Sequence, residues 1–312
     1  MTTLFYLLGY LALLGFICTA FLKIRSYLKS SPLHVRWELY PVPHEGAKSS
    51  YGGSFMEEKD WWRKPRHIEH LGDIKALLFE VLVLHTTFEH NLKLWFRTYP
   101  FHVGMYMLMG GIIIVFASVV LQAFGLAPDS GLLVFVGNVI NAVVLLGGLC
   151  IVGGGIALIH HRKTDEGLKK YTTPEHYFNL GVFVFFGILA LLAWICAPSY
   201  FVMARDFMYN MFTVNFVPLP STFFALHLLL GFFLMIWLPM THMGHLLMKY
   251  FTYHDIRWGD TPTTYNKETK RKIPDMLKYS ASWSAEHICG NGAPKTWLEI
   301  ATTNPAAPKN EA

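Results

Sequence analysis

The sequence predicts an all-α membrane protein: a bundle of five transmembrane helices, with the N-terminus outside and the C-terminus in the cytoplasm. Three observations predict it. The 312 residues are 53% hydrophobic and 15% charged, too apolar for an ordinary soluble chain. Five apolar runs are long enough to cross a hydrocarbon core of about 30 Å. Of the 26 lysines and arginines, 25 lie in segments that five spans place on one side: 12 between Lys23 and Arg97, 4 between Arg162 and Lys170, and 9 from Lys249 onward. Only Arg205 falls on the other side. Basic residues mark the cytoplasmic side, so an odd number of spans and this asymmetry give the same orientation.

The first run, Leu4 to Leu22, has no basic residue before it and is followed by Lys23 and Arg25. It reads as a retained anchor, residues 1–24, rather than a cleaved signal. Residues 25–99 form a long cytoplasmic loop. Its first part, Ser31 to Arg66, reads as irregular polar surface punctuated by Pro41, Pro43, Gly52, Gly53 and Pro65. Its second part, Asp73 to Phe96, sets Leu77, Leu78, Val81, Leu82, Phe88 and Leu92 at helical spacing opposite Lys75, Glu80, Glu89 and Lys93. That pattern predicts an amphipathic helix on the inner membrane surface or against a partner. Pro100 stands at the start of the next span, where proline costs little.

The membrane core, residues 100–249, holds the runs Phe101–Phe124, Leu132–Ile159, Phe178–Ala197 and Thr222–Met248. Gly147, Gly148, Gly153, Gly154 and Gly155 predict close helix contact. Pro239 predicts a bend in the last span. Residues 250–312 read as a polar cytoplasmic docking arm. The four cysteines, Cys18, Cys150, Cys196 and Cys289, are isolated, form no CxxCH or metal cluster, and read as small buried apolar residues.

The functional signal lies in the histidines. An imidazole within hydrocarbon is a functional hypothesis by default. His102 and His245 sit at the inner ends of two spans, and His227 lies 18 residues before His245. On one continuous helix that interval is five turns and roughly 27 Å, placing His227 and His245 on one face at opposite depths. His242 sits about 60° away around the helix from His227. Two imidazoles at one depth on facing helices are what axial ligation of a haem b requires. His102 and His245 meet that depth condition; the plain alternative is a hydrogen-bonded packing histidine.

Phe101-His102-Val103-Gly104 and Leu226-His227-Leu228-Leu229-Leu230-Gly231, followed by His245, resemble the gamma subunit of respiratory nitrate reductase, a five-span cytochrome b. Trp37 to Glu45, Asp60-Trp61-Trp62 and Tyr99-Pro100-Phe101-His102 resemble more closely the cytochrome b subunits of Tmc-type and Dsr-type complexes. The resemblance covers roughly residues 1 to 260. It implies a quinone-linked oxidoreductase subunit, an electron-transfer component not catalytic alone, in the cytoplasmic membrane of a bacterium or archaeon. His102 and His245 would ligate the inner haem and His227 an outer one. Implied partners are menaquinone or another quinone, a heterodisulfide-reductase-like iron–sulfur subunit and a multihaem cytochrome c.

The sequence departs from the nitrate-reductase pattern at Ile112, where the family's second helix carries another histidine. Three readings of His227 stay open: Met109 as a sixth ligand, a hydrogen bond to quinone without haem, or a second haem on the inner side using His85, His90, His160, His161, His176 or His242. One haem or two are therefore compatible with the chain. The basic inner surface suits anionic lipid head groups, and no nucleic-acid partner is expected. Trp61, Trp62, Arg63 and Lys64, with the amphipathic helix, are the candidate partner-docking surface. Two rival functions are a cofactor-poor anchor for soluble redox subunits, and a transporter or channel. The latter lacks polar side chains at mid-membrane depth, as Val144, Val184 and Phe233 illustrate.

Overall fold

In a computed structural model that describes residues 2–29, 58–60, 63–64, 69–245, 267–281 and 294–303, the secondary structure is helical. The helices are α1 (Thr2–Leu28), α2 (His70–Val83), α3 (His85–His90), α4 (Leu92–Ala123), α5 (Gly131–Thr164), α6 (Glu166–Tyr171), α7 (Pro174–Ile195), α8 (Tyr200–Phe212), α9 (Thr222–Met240), α10 (Lys267–Met276) and α11 (Trp297–Thr302). The predicted five spans are present: α1, α4, α5, α7 and α9 are long and apolar enough to cross a membrane, which makes this a multi-pass membrane protein. Among the described residues an isolated bridge between Ser280 and Thr296 is the one β contact. Ile113, Phe135 and Ile156 are exposed on the spans. In hydrocarbon that placement costs nothing, because apolar side chains can face lipid as readily as a core.

The chain divides into two compact units, Met1–Phe21 with Ala76–His245, and Leu22–Lys75 with Leu246–Ala312. The first unit is organised around α5, which packs closely on α4 and α7, while α7 packs on α9. Glycine makes these contacts possible. A Cβ on Gly104 of α4 would lie 2.7 Å from the Gly147 carbonyl oxygen, and one on Gly154 only 2.6 Å from the Phe101 backbone nitrogen. On the other side of α5, a Cβ on Gly187 of α7 would lie 3.3 Å from the Gly148 carbonyl oxygen. Small residues let backbones approach where no hydrophobic force draws helices together in lipid. Gly147, Gly148, Gly154 and Gly155 thus serve the predicted packing; Gly153 faces open space.

α1 docks through its first half. Tyr6 is buried, donates its hydroxyl to the Val217 carbonyl at 3.0 Å and stacks on Phe216, and Tyr10 donates to the Met211 carbonyl. A Cβ on Gly15 would strike the Ile236 side chain of α9 at 2.8 Å.

The connection between α7 and α9 contains a helix that the apolar runs do not announce, α8. Ser199 caps it, and Asn141 of α5 donates to the Ser199 hydroxyl at 3.1 Å and accepts the Phe201 backbone N–H at 3.0 Å. Arg205 on α8 is buried, donating to the Pro128 carbonyl at 3.0 Å and to Asp206 at 2.8 Å, with its guanidinium over the Phe201 ring. α8 ends in a reverse turn in which the Asn215 N–H reaches the Asn210 carbonyl at 2.8 Å. That turn needs a left-handed residue after the helix, which α4 supplies with Gly125 (φ 97°) and α8 with Val214 (φ 56°).

Several expectations need correction. The amphipathic segment is not one helix: Leu84 adopts φ 54°, ψ 50° and separates α2 from α3, and the segment's last residues belong to α4. Pro100 lies inside α4 rather than at its start, because Asn91 caps the helix nine residues earlier by accepting the Leu94 N–H at 3.0 Å. Trp95 stacks on Tyr99 and donates to the Val83 carbonyl at 2.8 Å, and Tyr106 donates to Val81, so α4 holds the last carbonyls of α2. Cys18 and Cys196 are exposed, not buried, since cysteine is apolar enough to face lipid.

In the second unit the Ala281 N–H donates to Lys295 at 3.1 Å and the Trp297 N–H to Tyr279 at 3.0 Å, while a Thr296–Glu299 capping box opens α11. Trp61, Trp62, most of the proline-rich loop, and residues 246–266 lie outside the described residues.

Candidate functional site

His102 follows Pro100 on α4 and is half-buried. Its Nδ1 lies 2.8 Å from the Thr98 carbonyl oxygen. A carbonyl only accepts, so Nδ1 carries the hydrogen. His245 is held the same way, with Nδ1 3.1 Å from the His242 carbonyl oxygen. Fixing one ring nitrogen on a backbone carbonyl is how proteins orient a histidine that ligates metal through the other.

The route by which His245 reaches this position differs from the expected one. α9 ends at Met240, where the expected span ran to Met248. Pro239 offers no N–H to continue the ladder, and Thr241 is extended at φ −103°, ψ 173°. The Thr241 hydroxyl donates to the Leu238 carbonyl at 3.3 Å and accepts the Met243 N–H at 3.2 Å, which starts a 3-10 turn over His242–Gly244. That turn folds against the helix end: a Cβ on Gly244 would lie 2.9 Å from the Leu238 carbonyl oxygen. His227 and His245 are therefore not on one continuous helix, and the argument from a shared face fails. The expected separation along the span survives, since His227 lies in the second turn of α9 and His245 beyond its other end.

The turn brings His245 to His102, with ring centroids 6.2 Å apart and planes inclined at 60°. An iron bound roughly 2 Å from each ring nitrogen, as metal–imidazole bonds are, sets two opposed rings about 6 Å apart. The observed separation is of that size, and it also falls within the roughly 4.5–7 Å of an ordinary tilted ring pair. α4 and α9 are also not among the closely packed helix pairs.

The surplus histidines have other employment. His176 accepts the Thr173 backbone N–H at 3.1 Å through Nδ1 in the capping box of α7, and its ring lies 4.7 Å from that of His242. His242 faces Glu175 at 3.5 Å, His161 faces Arg97 at 3.1 Å and His85 faces Glu89 at 3.4 Å. His90 and His160 are exposed. Among the described residues no three histidine, cysteine or acidic side chains group as a metal site.

His227 is buried, with Nδ1 3.2 Å from the Phe186 carbonyl oxygen of α7. Its ring stacks on Phe186 at 4.2 Å and meets Tyr200 edge-on at 5.9 Å. Met109, 53% exposed, and Ile112, 54% exposed, both face away from the bundle interior. Met109 is thereby a poor sixth ligand for a histidine that is 5% exposed.

One buried polar contact escaped the sequence reading. Asn179 of α7 is 1% exposed, and its Oδ1 accepts the Trp237 indole N–H of α9 at 2.7 Å. Its only signal was an amide at the second position of an apolar run. Compared with family models, curated proteins and solved structures, the chain matches none.

Proposed function

We propose that this protein is the membrane cytochrome b subunit of a respiratory redox complex. It would exchange electrons between a quinone, menaquinone by the family resemblance, and an iron–sulfur partner at the cytoplasmic face. The observation that carries the reading is the His102–His245 pair: two imidazoles whose ring centroids lie 6.2 Å apart, each with Nδ1 held on a backbone carbonyl. A haem b held there supplies one-electron redox chemistry, its potential tuned by ligands and burial. The chain's own part is to orient. The Thr98 and His242 carbonyls fix the rings, and the turn after Pro239 sets their spacing.

The proposed orientation, N-terminus outside and C-terminus in the cytoplasm, rests on the 25 basic residues gathered on the His102 side. One haem is the simpler count. His227 is enclosed by Phe186 and Tyr200, with no second histidine from α4 to join it. Quinone chemistry would then take place at the same end as the haem.

Reduced-minus-oxidised visible spectra and haem quantification on the purified chain test this reading. The wild type shows a b-type α band, and His102→Ala and His245→Ala each abolish that same band. Full haem retention in both variants refutes the assignment. Absence of any band in the wild type favours the rival reading, an anchor that only tethers soluble subunits.

A further inference from the structure

The Asn179–Trp237 contact contains an unmet donor. An indole N–H can only donate, so the Asn179 oxygen must face Trp237, and the amide orientation is fixed rather than open to a flip. Its Nδ2 then points elsewhere, and that atom is buried without a hydrogen-bond partner. A buried unpaired donor costs about 1–3 kcal/mol. Among the described residues the other buried unpartnered side-chain atoms are Gln122 Oε1 and Ser130 Oγ, both near the α4–α5 connection at the opposite end of the bundle.

Asn179 lies one turn beyond His176, whose ring is 4.7 Å from His242 in the turn that leads to His245. The orphan donor is therefore at the His102–His245 end. On the lipid side, Trp237 stacks with Phe233 at 5.5 Å and meets Phe178 edge-on at 5.7 Å. Phe178 is 50% exposed and Phe233 39%. An aromatic surface thus leads from the bilayer to a buried amide.

We propose that Asn179 Nδ2 donates a hydrogen bond to a carbonyl oxygen of a membrane quinone that enters beside Trp237, giving the proposed redox chain its quinone site at the His102–His245 end. The assignment rests on the reading above for its purpose, but not for its chemistry. A water molecule would bring two hydrogens of its own, and among the described residues no buried side-chain acceptor without a partner lies at this end to receive them. A quinone carbonyl only accepts, and so matches an amide whose oxygen is already engaged. A quinol hydroxyl would also have to donate.

The test uses the full chain in phosphatidylethanolamine–phosphatidylglycerol vesicles with 2-methyl-1,4-naphthoquinone. In the wild type, one carbonyl stretch of the bound quinone shifts to lower wavenumber in the infrared. In Asn179→Leu the shift disappears and affinity falls about tenfold, the worth of one hydrogen bond. Trp237→Phe keeps the platform but releases the amide, and affinity falls several-fold with a broadened carbonyl band. An unshifted band in the wild type, or a shift and affinity unchanged in both variants, overturns the proposal and assigns the amide to water or a lipid ester. Haem content, measured on the same samples, separates the two readings. A wild type that binds quinone with a shifted band but holds no haem refutes the cytochrome assignment and leaves this site standing.

Discussion

Two adjacent glycines on α5 should respond in opposite ways to the same substitution. A Cβ at Gly154 would sit 2.6 Å from the Phe101 backbone nitrogen and 2.9 Å from its Cα, whereas one at Gly153 meets nothing within 4 Å. Backbone cannot rotate aside as a side chain can, so Gly154→Ala has to push α4 off α5 by about 0.8 Å to restore the 3.4 Å of ordinary contact. A gap of 0.5–1 Å forfeits roughly a quarter to a half of each dispersion contact along the seam. Overpacking of this kind costs about 1–3 kcal/mol. His102 adjoins Phe101, and a metal bond tolerates only about ±0.2 Å. Gly154→Ala should therefore lower the midpoint of thermal unfolding in detergent and also reduce the b-type α band per polypeptide. Gly153→Ala should leave the band intact and raise stability by up to about 1 kcal/mol through helix propensity. Equal behaviour of the two variants would refute a seam built on backbone contact.

Gly244→Ala would press a methyl group against the Leu238 carbonyl at 2.9 Å and displace the turn that carries His245, so haem content should fall while the circular-dichroism helix signal stays near wild type. Val214→Gly removes a β-branched residue from φ 56° and should stabilise the protein by about 1 kcal/mol, read as a higher unfolding midpoint. Arg205→Met loses donors to Pro128 and Asp206 from a buried position and should destabilise by about 2 kcal/mol, with the α band preserved in the fraction that stays folded.

The spans were legible because bilayer thickness imposes one length on every apolar run, and the glycines of α5 because small residues in such a run have few other uses. The pairing of His102 with His245 could be argued from depth, but not for the reason first given. Periodicity treats residues 222–248 as one helix, and cannot see that Pro239 and Thr241 end it at Met240. α8 was hidden for a related reason. Its sequence, Tyr200 to Phe212, is too short and mixed to stand out as a span, and its position depends on Asn141, 58 residues before Ser199. Leu84 gave no warning of a left-handed break, since leucine is an ordinary helix former and only the tertiary hold of Trp95 and Tyr106 on the end of α2 accounts for it. Asn179 was visible as an oddity, yet its meaning required Trp237 to be placed opposite.

The Arg205–Asp206 pair has a consequence for how the chain enters a membrane. Moving one elementary charge through a potential of 100 mV costs or releases about 2.3 kcal/mol. In the proposed orientation, Arg205 is paired with its own neighbour Asp206, so the α8 end would be translocated without an unscreened cation. Each lysine and arginine kept at the other end would pay that toll individually. In that orientation the pair, with Arg205 buried and Asp206 half-exposed, would leave the potential free to enforce a single insertion direction.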